Sequence, residues 1–348
     1  MELKNYKKKI FFFVVIFFTL FLSHFHLQSN LIDMHISQGH WSHENADKGL
    51  INYFSSRTES YKEDIKITGS IHDRHKLRWA YKHYESKVYK KVLDNTSPKF
   101  TKHVINLHYS LWLFLGFLFL VLSISNKKKL ENTKTYVVGA IYLLYVVYFM
   151  LSGNNWEYFT VIELATVSAS IFFAIRKEIL FFLIALFIAI SNRESGVLIS
   201  LIYPIINLSN FGKINVSNLK KEMLPIFLCP IFFIIINNQI FFNPEIYSKE
   251  FLLGSKEEGR AYLNNIFNEN PYFIWGSFLE IVIIYSPIIF YFNEIIRSDL
   301  KKRLLLILII YIAMILTTSP LGNHLPFLIT LPIILICSIK DYGALPRT

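Results

Sequence analysis

Six ionisable residues lie within or near apolar runs, where polar side chains are costly. Glu157 and Glu163 open one run, Arg193 and Glu194 interrupt another, Glu280 lies within a third, and His324 opens a fourth. Because an ionisable side chain in hydrocarbon costs about 2.5–3.5 kcal/mol, these residues are the first candidates for binding a substrate. Two interpretations stay open for the Arg193–Glu194 pair and for Glu163. Arg193 with Glu194 binds an anionic group or forms a structural ion pair, and Glu163 contacts substrate or hydrogen-bonds to another helix.

Two aspartates that follow the first apolar run, Asp33 and Asp47, are the candidate catalytic residues. A carboxylate beside a lipid surface can act as a general base on an acceptor hydroxyl. It can also hold a divalent cation against a phosphate leaving group, which makes such a cation the candidate cofactor. The competing interpretation is that each aspartate caps a turn.

Histidines are concentrated early in the chain, since ten of the eleven lie between His24 and His108. Imidazole and carboxylate ligands suit zinc or manganese, so His35, His40 and His43 are weak candidates for a metal site. Their spacing matches no strict metal motif. Scattered histidines at a surface or interface are the competing interpretation.

The composition of the chain is that of a membrane protein. Hydrophobic residues make up 53% of it and charged residues 18%, against about 45–50% and about 25% in soluble domains. Runs such as Ile10 to Leu22 and Leu304 to Leu316 carry no charge, and about 17–25 apolar residues form a membrane-spanning helix. The net charge of +11 comes from short basic segments between the runs, which indicates membrane topology and no nucleic-acid partner.

The fold predicted from these runs is an all-α, polytopic bundle of about ten spans. Residues 1–23 form the first transmembrane helix, 24–108 a large extracytoplasmic loop, and 109–348 a domain of about nine spans with a second outer loop at 237–270. Within the large loop, residues 73–94 carry apolar side chains at spacings of three and four, typical of an amphipathic helix. Both termini are expected in the cytoplasm, because the basic segments then lie there. These segments are 1–9, 126–134, 176–178, 213–221, 297–303 and the tail.

The stretch 179–207 contains two apolar pieces of about a dozen residues, separated by the polar residues 191–195. One continuous helix would place the lysines of 213–221 outside. Two short helices that meet at a polar turn keep these lysines in the cytoplasm. We therefore predict a broken span with Arg193 and Glu194 at the outer edge of the membrane.

Soluble-cofactor enzymes are disfavoured by the motifs that the sequence lacks. It has no phosphate-binding Walker loop, no dinucleotide fingerprint, no Gly-x-Ser-x-Gly elbow and no Cys-x-x-Cys pair. The two cysteines, Cys229 and Cys337, lie in apolar runs and are expected to be buried.

Three short segments carry a resemblance to a known family. The run Asn192-Arg193-Glu194-Ser195-Gly196 is similar to an "NRET" segment, with Ser195 in place of the usual Thr; Asp47-Lys48-Gly49 to Tyr53 is similar to a "DG…Y" loop; and His324 to Pro332 is similar to a last helix. Together with a first helix followed by a large outer loop, they resemble the glycosyltransferase C (GT-C) superfamily. Within it, they resemble a group of bacterial inner-membrane proteins.

This resemblance implies transfer of a sugar from a polyprenyl-phosphate-linked donor to a lipid or glycan acceptor on the extracytoplasmic side. The partners would then be the bilayer and the lipid-linked donor. The implied roles are donor-phosphate binding by Arg193 with Arg74 or Arg78, activation of the acceptor by Asp47 or Asp33, support of Arg193 by Glu194, and completion of the pocket by His324.

Three other functions remain in competition. A transporter or flippase for lipid-linked glycans would bind with the same charges but without turnover, and should show broken helices in both halves of the chain. A surface-glycan polymerase usually has its largest outer loop late in the chain, whereas here it comes first. A non-catalytic scaffold predicts that the polar residues do not converge.

Overall fold

The structure is a computed structural model that describes residues 2–39, 41–51, 80–124, 133–151, 158–192, 194–208, 216–236, 282–318 and 329–339. Throughout these residues it is helical and contains no β-strand, which confirms the all-α prediction. The predicted second outer loop, 237–270, lies outside them. The α-helices with defined ends are α1 Glu2–Ser37, α2 Ala80–Asn95, α3 Pro98–Ile124, α4 Thr133–Leu151, α5 Tyr158–Arg176, α6 Ile179–Asn192, α7 Ile202–Asn207, α8 Val216–Ile236, α9 Phe292–Arg297, α10 Asp299–Thr318 and α11 Leu331–Cys337.

Two of the described helices are long and apolar enough to cross a membrane, over Ile10–Ser37 of α1 and over the whole of α3. At about 1.5 Å per residue, the 27 residues of α3 extend about 40 Å, more than the roughly 30 Å of bilayer hydrocarbon. Shorter apolar helices cover Val137–Val147, Ile179–Asn192 and Ser195–Asn207.

Helix α1 is longer than the predicted first transmembrane helix, 1–23, and α3 begins within the predicted loop, 24–108. Helix α1 continues to Ser37, because residues 24–37 contain neither proline nor glycine and their polar side chains pack against α3. It is followed by Gly39, whose φ of 73° suits glycine at a helix end. At the other boundary, Ser97 caps α3 by accepting a hydrogen bond from Phe100 N–H (3.2 Å), and Pro98 suits its first position.

Helix α1 packs antiparallel to α3. Its buried residues recur every three or four positions, which places them on one face; they are Ile16, Leu20, His24, Leu27, Gln28 and Leu31. The ring of Phe13 meets that of Phe117 near the end of α3 (6.1 Å between centroids), whereas Phe25 stacks on His103 near its beginning (6.0 Å). We call the end of the bundle where α1 ends and α3 begins the outer end, following the predicted topology.

Helix α5 is the centre of the bundle. Every residue from 160 to 171 is buried, as expected for a helix surrounded by others, and α5 packs against α3, α6 and α7. It ends in a Schellman cap. Lys177 adopts a left-handed conformation (φ 57°), and Glu178 N–H donates to the Phe173 carbonyl (2.9 Å).

The helical stretch 179–207 is interrupted at the predicted place. Helix α6 ends at Asn192, and Glu194–Leu201 forms a 3-10 helix, which we call the 3-10 segment, before α7 begins at Ile202. The two pieces touch through their backbones at Gly196, where an added Cβ would lie 2.3 Å from the carbonyl carbon of Ala189. A 3-10 helix of eight residues is unusually long and often marks a functional hinge.

The amphipathic helix predicted at 73–94 is present as α2, which begins at Ala80; residues 73–79 lie outside the described part. Tyr89 is its buried anchor. Helix α2 packs on both α3 and α6, so it joins the first long pair to the broken span.

Segments predicted to be cytoplasmic meet at the end of the bundle opposite the outer end. Asn207 at the end of α7 donates to the Ala174 carbonyl near the end of α5 (2.9 Å). Arg303 in the first turns of α10 donates to the carbonyls of Ile205 (3.1 Å) and Leu208. Basic segments that are distant in sequence thus lie close together.

Candidate functional site

The structure describes the side chains of five of the predicted site residues. They are Asp33, His35, His43, Asp47 and Glu163. Glu194 begins the 3-10 segment, and only its backbone is described. The remaining candidates, which lie outside the described residues, are His40, Arg74, Arg78, Glu157, Arg193, Glu280 and His324.

Glu163 is a buried carboxylate, 2% exposed, in the central helix α5. Its Oε1 accepts a hydrogen bond from Ser195 Oγ at 2.5 Å, which joins α5 to the 3-10 segment. The hydrogen bond between helices, one of the two interpretations of Glu163, is therefore what the structure shows.

This bond also anchors the residues that directly follow position 193. Asn192 precedes Arg193 and is buried, and Ser195, two residues after Arg193, is held by Glu163. The chain on both sides of Arg193 is therefore tied into the bundle.

Asp47 forms an ion pair at the outer end. Its Oδ1 lies 2.7 Å from Lys102 Nζ in the second turn of α3, and the Asp47 side chain keeps 34% of its surface exposed. The short helix at residues 46–51 that carries Asp47 is docked by Leu50 and Ile51, both fully buried. A reachable carboxylate is thus held rigidly beside a cation.

Asp33 has a different environment, because it lies exposed near the end of α1. The structure therefore separates the two candidate bases by their surroundings. Asp47 has a fixed position and a charged partner, and it is the better placed of the two to orient an acceptor.

The weak metal hypothesis gains no support from the described residues. Among them, no three histidine, cysteine, aspartate or glutamate side chains group as ligands for one ion. The ring of His35 stacks on Trp41 with centroids 4.2 Å apart, and Trp41 in turn lies over Gly49, where an added Cβ would come within 2.6 Å of the indole. His35 therefore closes a turn, and His43 is exposed.

A partly buried polar cluster beside the interface of α1 and α3, where α2 packs on α3, was missed by the sequence analysis. At its centre, Tyr89 Oη lies 2.7 Å from His108 Nδ1, and Trp112 Nε1–H donates to His108 Nε2 (3.0 Å). Because an indole can only donate, Nε2 carries no proton and Nδ1 carries one, which donates to Tyr89. His108 is therefore held as the neutral imidazole.

The same interface buries four further polar side chains: His24, Gln28, Asn106 and Ser110. The ring of His24 lies 5.4 Å from that of Tyr109, and Ser110 Oγ donates to the Asn106 carbonyl (2.7 Å). A sequence signal existed, since His24 and Gln28 continue the four-residue spacing of Ile16 and Leu20. It was lost because residues after 23 were assigned to a loop.

Comparison of the chain with protein-family models, curated protein sequences and solved structures finds no match. The case for a function therefore rests on the chemistry of its own residues.

Three kinds of chemistry are available in the described bundle. An accessible carboxylate beside a cation can orient or deprotonate a hydroxyl, as Asp47 is placed to do. A buried carboxylate, Glu163, fixes the broken span. The neutral cluster around His108 offers hydrogen bonds without charge.

Proposed function

We propose that this chain is a multi-pass inner-membrane protein of about ten spans, with both termini in the cytoplasm and the loop after α1 outside. Its activity would be transfer of a sugar from a polyprenyl-phosphate-linked donor to a lipid or glycan acceptor at the outer face. The two long apolar helices and the predominance of apolar residues support the membrane part of this proposal.

The observation that carries the activity is the Asp47–Lys102 pair. Sugar transfer requires an acceptor hydroxyl to lose its proton, and a positioned carboxylate contributes typically 10²–10⁴-fold as general base. Asp47 is partly exposed and fixed by Lys102 and by the buried residues of its helix. It lies next to the apolar α1–α3 pair, where an acceptor with a lipid tail would enter.

The donor phosphate would be bound at the break between α6 and the 3-10 segment. Arginine suits this task because its planar guanidinium matches two phosphate oxygens, and Arg193 occupies the break in sequence. Two contacts support this assignment: Ser195 is tied to Glu163, and α2 from the first outer segment packs on α6.

The test measures the amount of cell-surface glycan in the native host when the protein carries Asp47→Asn or Arg193→Ala and is present at its normal level. Asp47→Asn preserves the shape of the side chain and removes its basicity, so we expect glycan synthesis to fall at least about 100-fold. Asp299→Asn is the matched control, because Asp299 is an exposed carboxylate at the opposite end, 3.8 Å from Lys302. Undiminished glycan in both site variants would refute the transferase proposal.

Transport of a lipid-linked glycan is the second candidate function. It is favoured by the 3-10 segment, because interrupted helices build the substrate sites of many transporters. Purified protein in liposomes with a fluorescent lipid-linked sugar separates the two. A transferase forms a new glycoside when acceptor is present, whereas a flippase moves the lipid between leaflets and leaves it chemically unchanged.

A further inference from the structure

The interface between α1 and α3 changes character along its length. In the half of α3 that is further from the outer end, the buried side chains are mostly apolar and include Leu113, Phe117 and Leu120. In the outer half they are mostly polar, and α1 contributes two more polar side chains. The polar set is His24, Gln28, Thr101, Asn106, Tyr109 and Ser110.

Two members of this set have hydrogen-bonding atoms that find no partner within the described part of the chain. Both the Oε1 and the Nε2 of Gln28 are buried without a hydrogen-bond partner, and so is the Nδ2 of Asn106. Gln28 is 1% exposed and Asn106 0%. Buried polar groups are nearly always hydrogen-bonded, so an unsatisfied pair indicates a missing ligand or solvent molecule.

The helix register places these two amides near each other in the outer half of the helix pair. In the antiparallel pair, His24 lies against Tyr109. Gln28 is one turn further out on the same face of α1. Asn106 is about one turn further out on the same face of α3. The unsatisfied donors and acceptors of Gln28 and Asn106 therefore lie within about one helical turn of each other along the helix pair.

The described residues around these two amides offer no free charge to a ligand. His108, beside Tyr109, is held neutral by Trp112 and Tyr89, and the nearby Lys102 is already paired with Asp47. Carboxamides can donate and accept at the same time. Their natural partner is a group that also does both and carries no charge, which describes the hydroxyls of a sugar.

We propose that Gln28 and Asn106 form a binding site for an uncharged, polyhydroxylated group, the sugar unit of the lipid-linked substrate. The site rests on the proposed function for the identity of the sugar carrier. It is distinct from the candidate phosphate site at the broken span. It would hold the sugar close to Asp47 while the lipid tail remains in the bilayer.

The test measures access of a water-soluble thiol reagent to single cysteines in full-length protein in liposomes. Cys229 and Cys337 are first replaced by alanine, and Gln28→Cys or Asn106→Cys is then introduced. Leu20→Cys and Leu113→Cys are the matched controls, since both leucines are equally buried on the same helices. The probes are a methanethiosulfonate with a trimethylammonium group and geranyl phosphate conjugates of glucose, galactose, mannose or N-acetylglucosamine.

We expect the cysteines at 28 and 106 to react at least tenfold faster than the control cysteines, and at least one conjugate to slow that reaction threefold or more. Geranyl phosphate without a sugar should not slow it. Rates equal to the controls would overturn the site. Fast labelling without protection by any conjugate would mean that only internal water reaches the site. Equal protection by plain geranyl phosphate would mean that the sugar is not recognised. Either result also overturns the sugar site.

These outcomes are independent of turnover. If Asp47→Asn and Arg193→Ala leave the glycan intact while a conjugate protects the cysteines, the transferase proposal fails and the sugar site stands. If the glycan is lost in those variants but the cysteines stay unreactive, only the sugar site fails.

Discussion

Ser195 Oγ donates a hydrogen bond to Glu163 Oε1 at 2.5 Å. This bond links the central helix α5 to the 3-10 segment. The carboxylate is buried in a helix that is itself surrounded by others. Removal of the Ser195 hydroxyl would leave this buried carboxylate without that donor. Such a change costs more than the hydrogen bond itself contributes.

Ser195→Ala should therefore lower the free energy of unfolding by about 1–3 kcal/mol. Ser195→Thr keeps the hydroxyl and should restore most of that loss. SDS denaturation in mixed micelles provides the measurement. Ser191→Ala is the control, because Ser191 bonds only to its own helix at Phe187; an equal effect at 191 and 195 would contradict the assignment.

Gly196→Ala should separate the two arms of the broken span. The added Cβ would lie 2.3 Å from a backbone carbon of Ala189, and a backbone cannot move aside as a side chain can. Overpacking of this kind costs about 1–3 kcal/mol or more. Gly139→Ala meets only the rings of Phe117 and Phe12, at 3.0 Å and beyond, and thermal unfolding should show it to be the milder of the two. The reverse order would contradict the packing.

Arg303→Lys should destabilise the opposite end of the bundle although it preserves the charge. The Arg303 guanidinium donates to the carbonyls of Ile205, Ile206 and Leu208 at the end of α7. Lysine cannot reproduce this planar donor group, and hydrogen bonds to charged groups contribute about 1.5–3 kcal/mol. Arg297→Lys, at an exposed position, should leave the free energy of unfolding unchanged. SDS denaturation in mixed micelles measures both variants. No difference between the two would show that only the charge matters.

Reversal of the Asp47–Lys102 pair separates a structural from a chemical role. Asp47→Lys or Lys102→Asp alone places like charges within contact and should lower thermal stability. The double reversal should recover stability, because the 2.7 Å pair can form again. It should not recover surface glycan, since the carboxylate has moved from residue 47 to residue 102. If the double reversal recovered surface glycan as well as thermal stability, the role of Asp47 would be purely structural.

Gln28→Met should raise stability and lower function together. Methionine has nearly the same shape and removes two buried polar atoms that lack partners, and such replacements are neutral or stabilising. We expect a higher unfolding temperature and reduced surface glycan. Leu31→Met on the same face of α1 should change neither. A lower unfolding temperature for Gln28→Met would show that the amide is satisfied in the folded protein.

Local sequence patterns predicted the helices well and their ends poorly. The three- and four-residue spacing in 73–94 indicated α2, and the polar residues at 191–195 indicated the break after α6. The same polarity rule failed for α1, whose residues 24–37 are polar enough to look like a loop. They are helical because their polar face is buried against α3, and that partner lies some 80 residues away in the sequence.

The apolar runs by themselves determined that the described residues are helical and include segments able to span a bilayer, because those properties depend on neighbours within a turn or two. Only the tertiary structure decided which polar groups meet. Asp47 pairs with Lys102 across 55 positions, and Ser195 with Glu163 across 32. Helix period shows which face of a helix is buried, but the partner of that face depends on how distant helices pack, which no local pattern encodes.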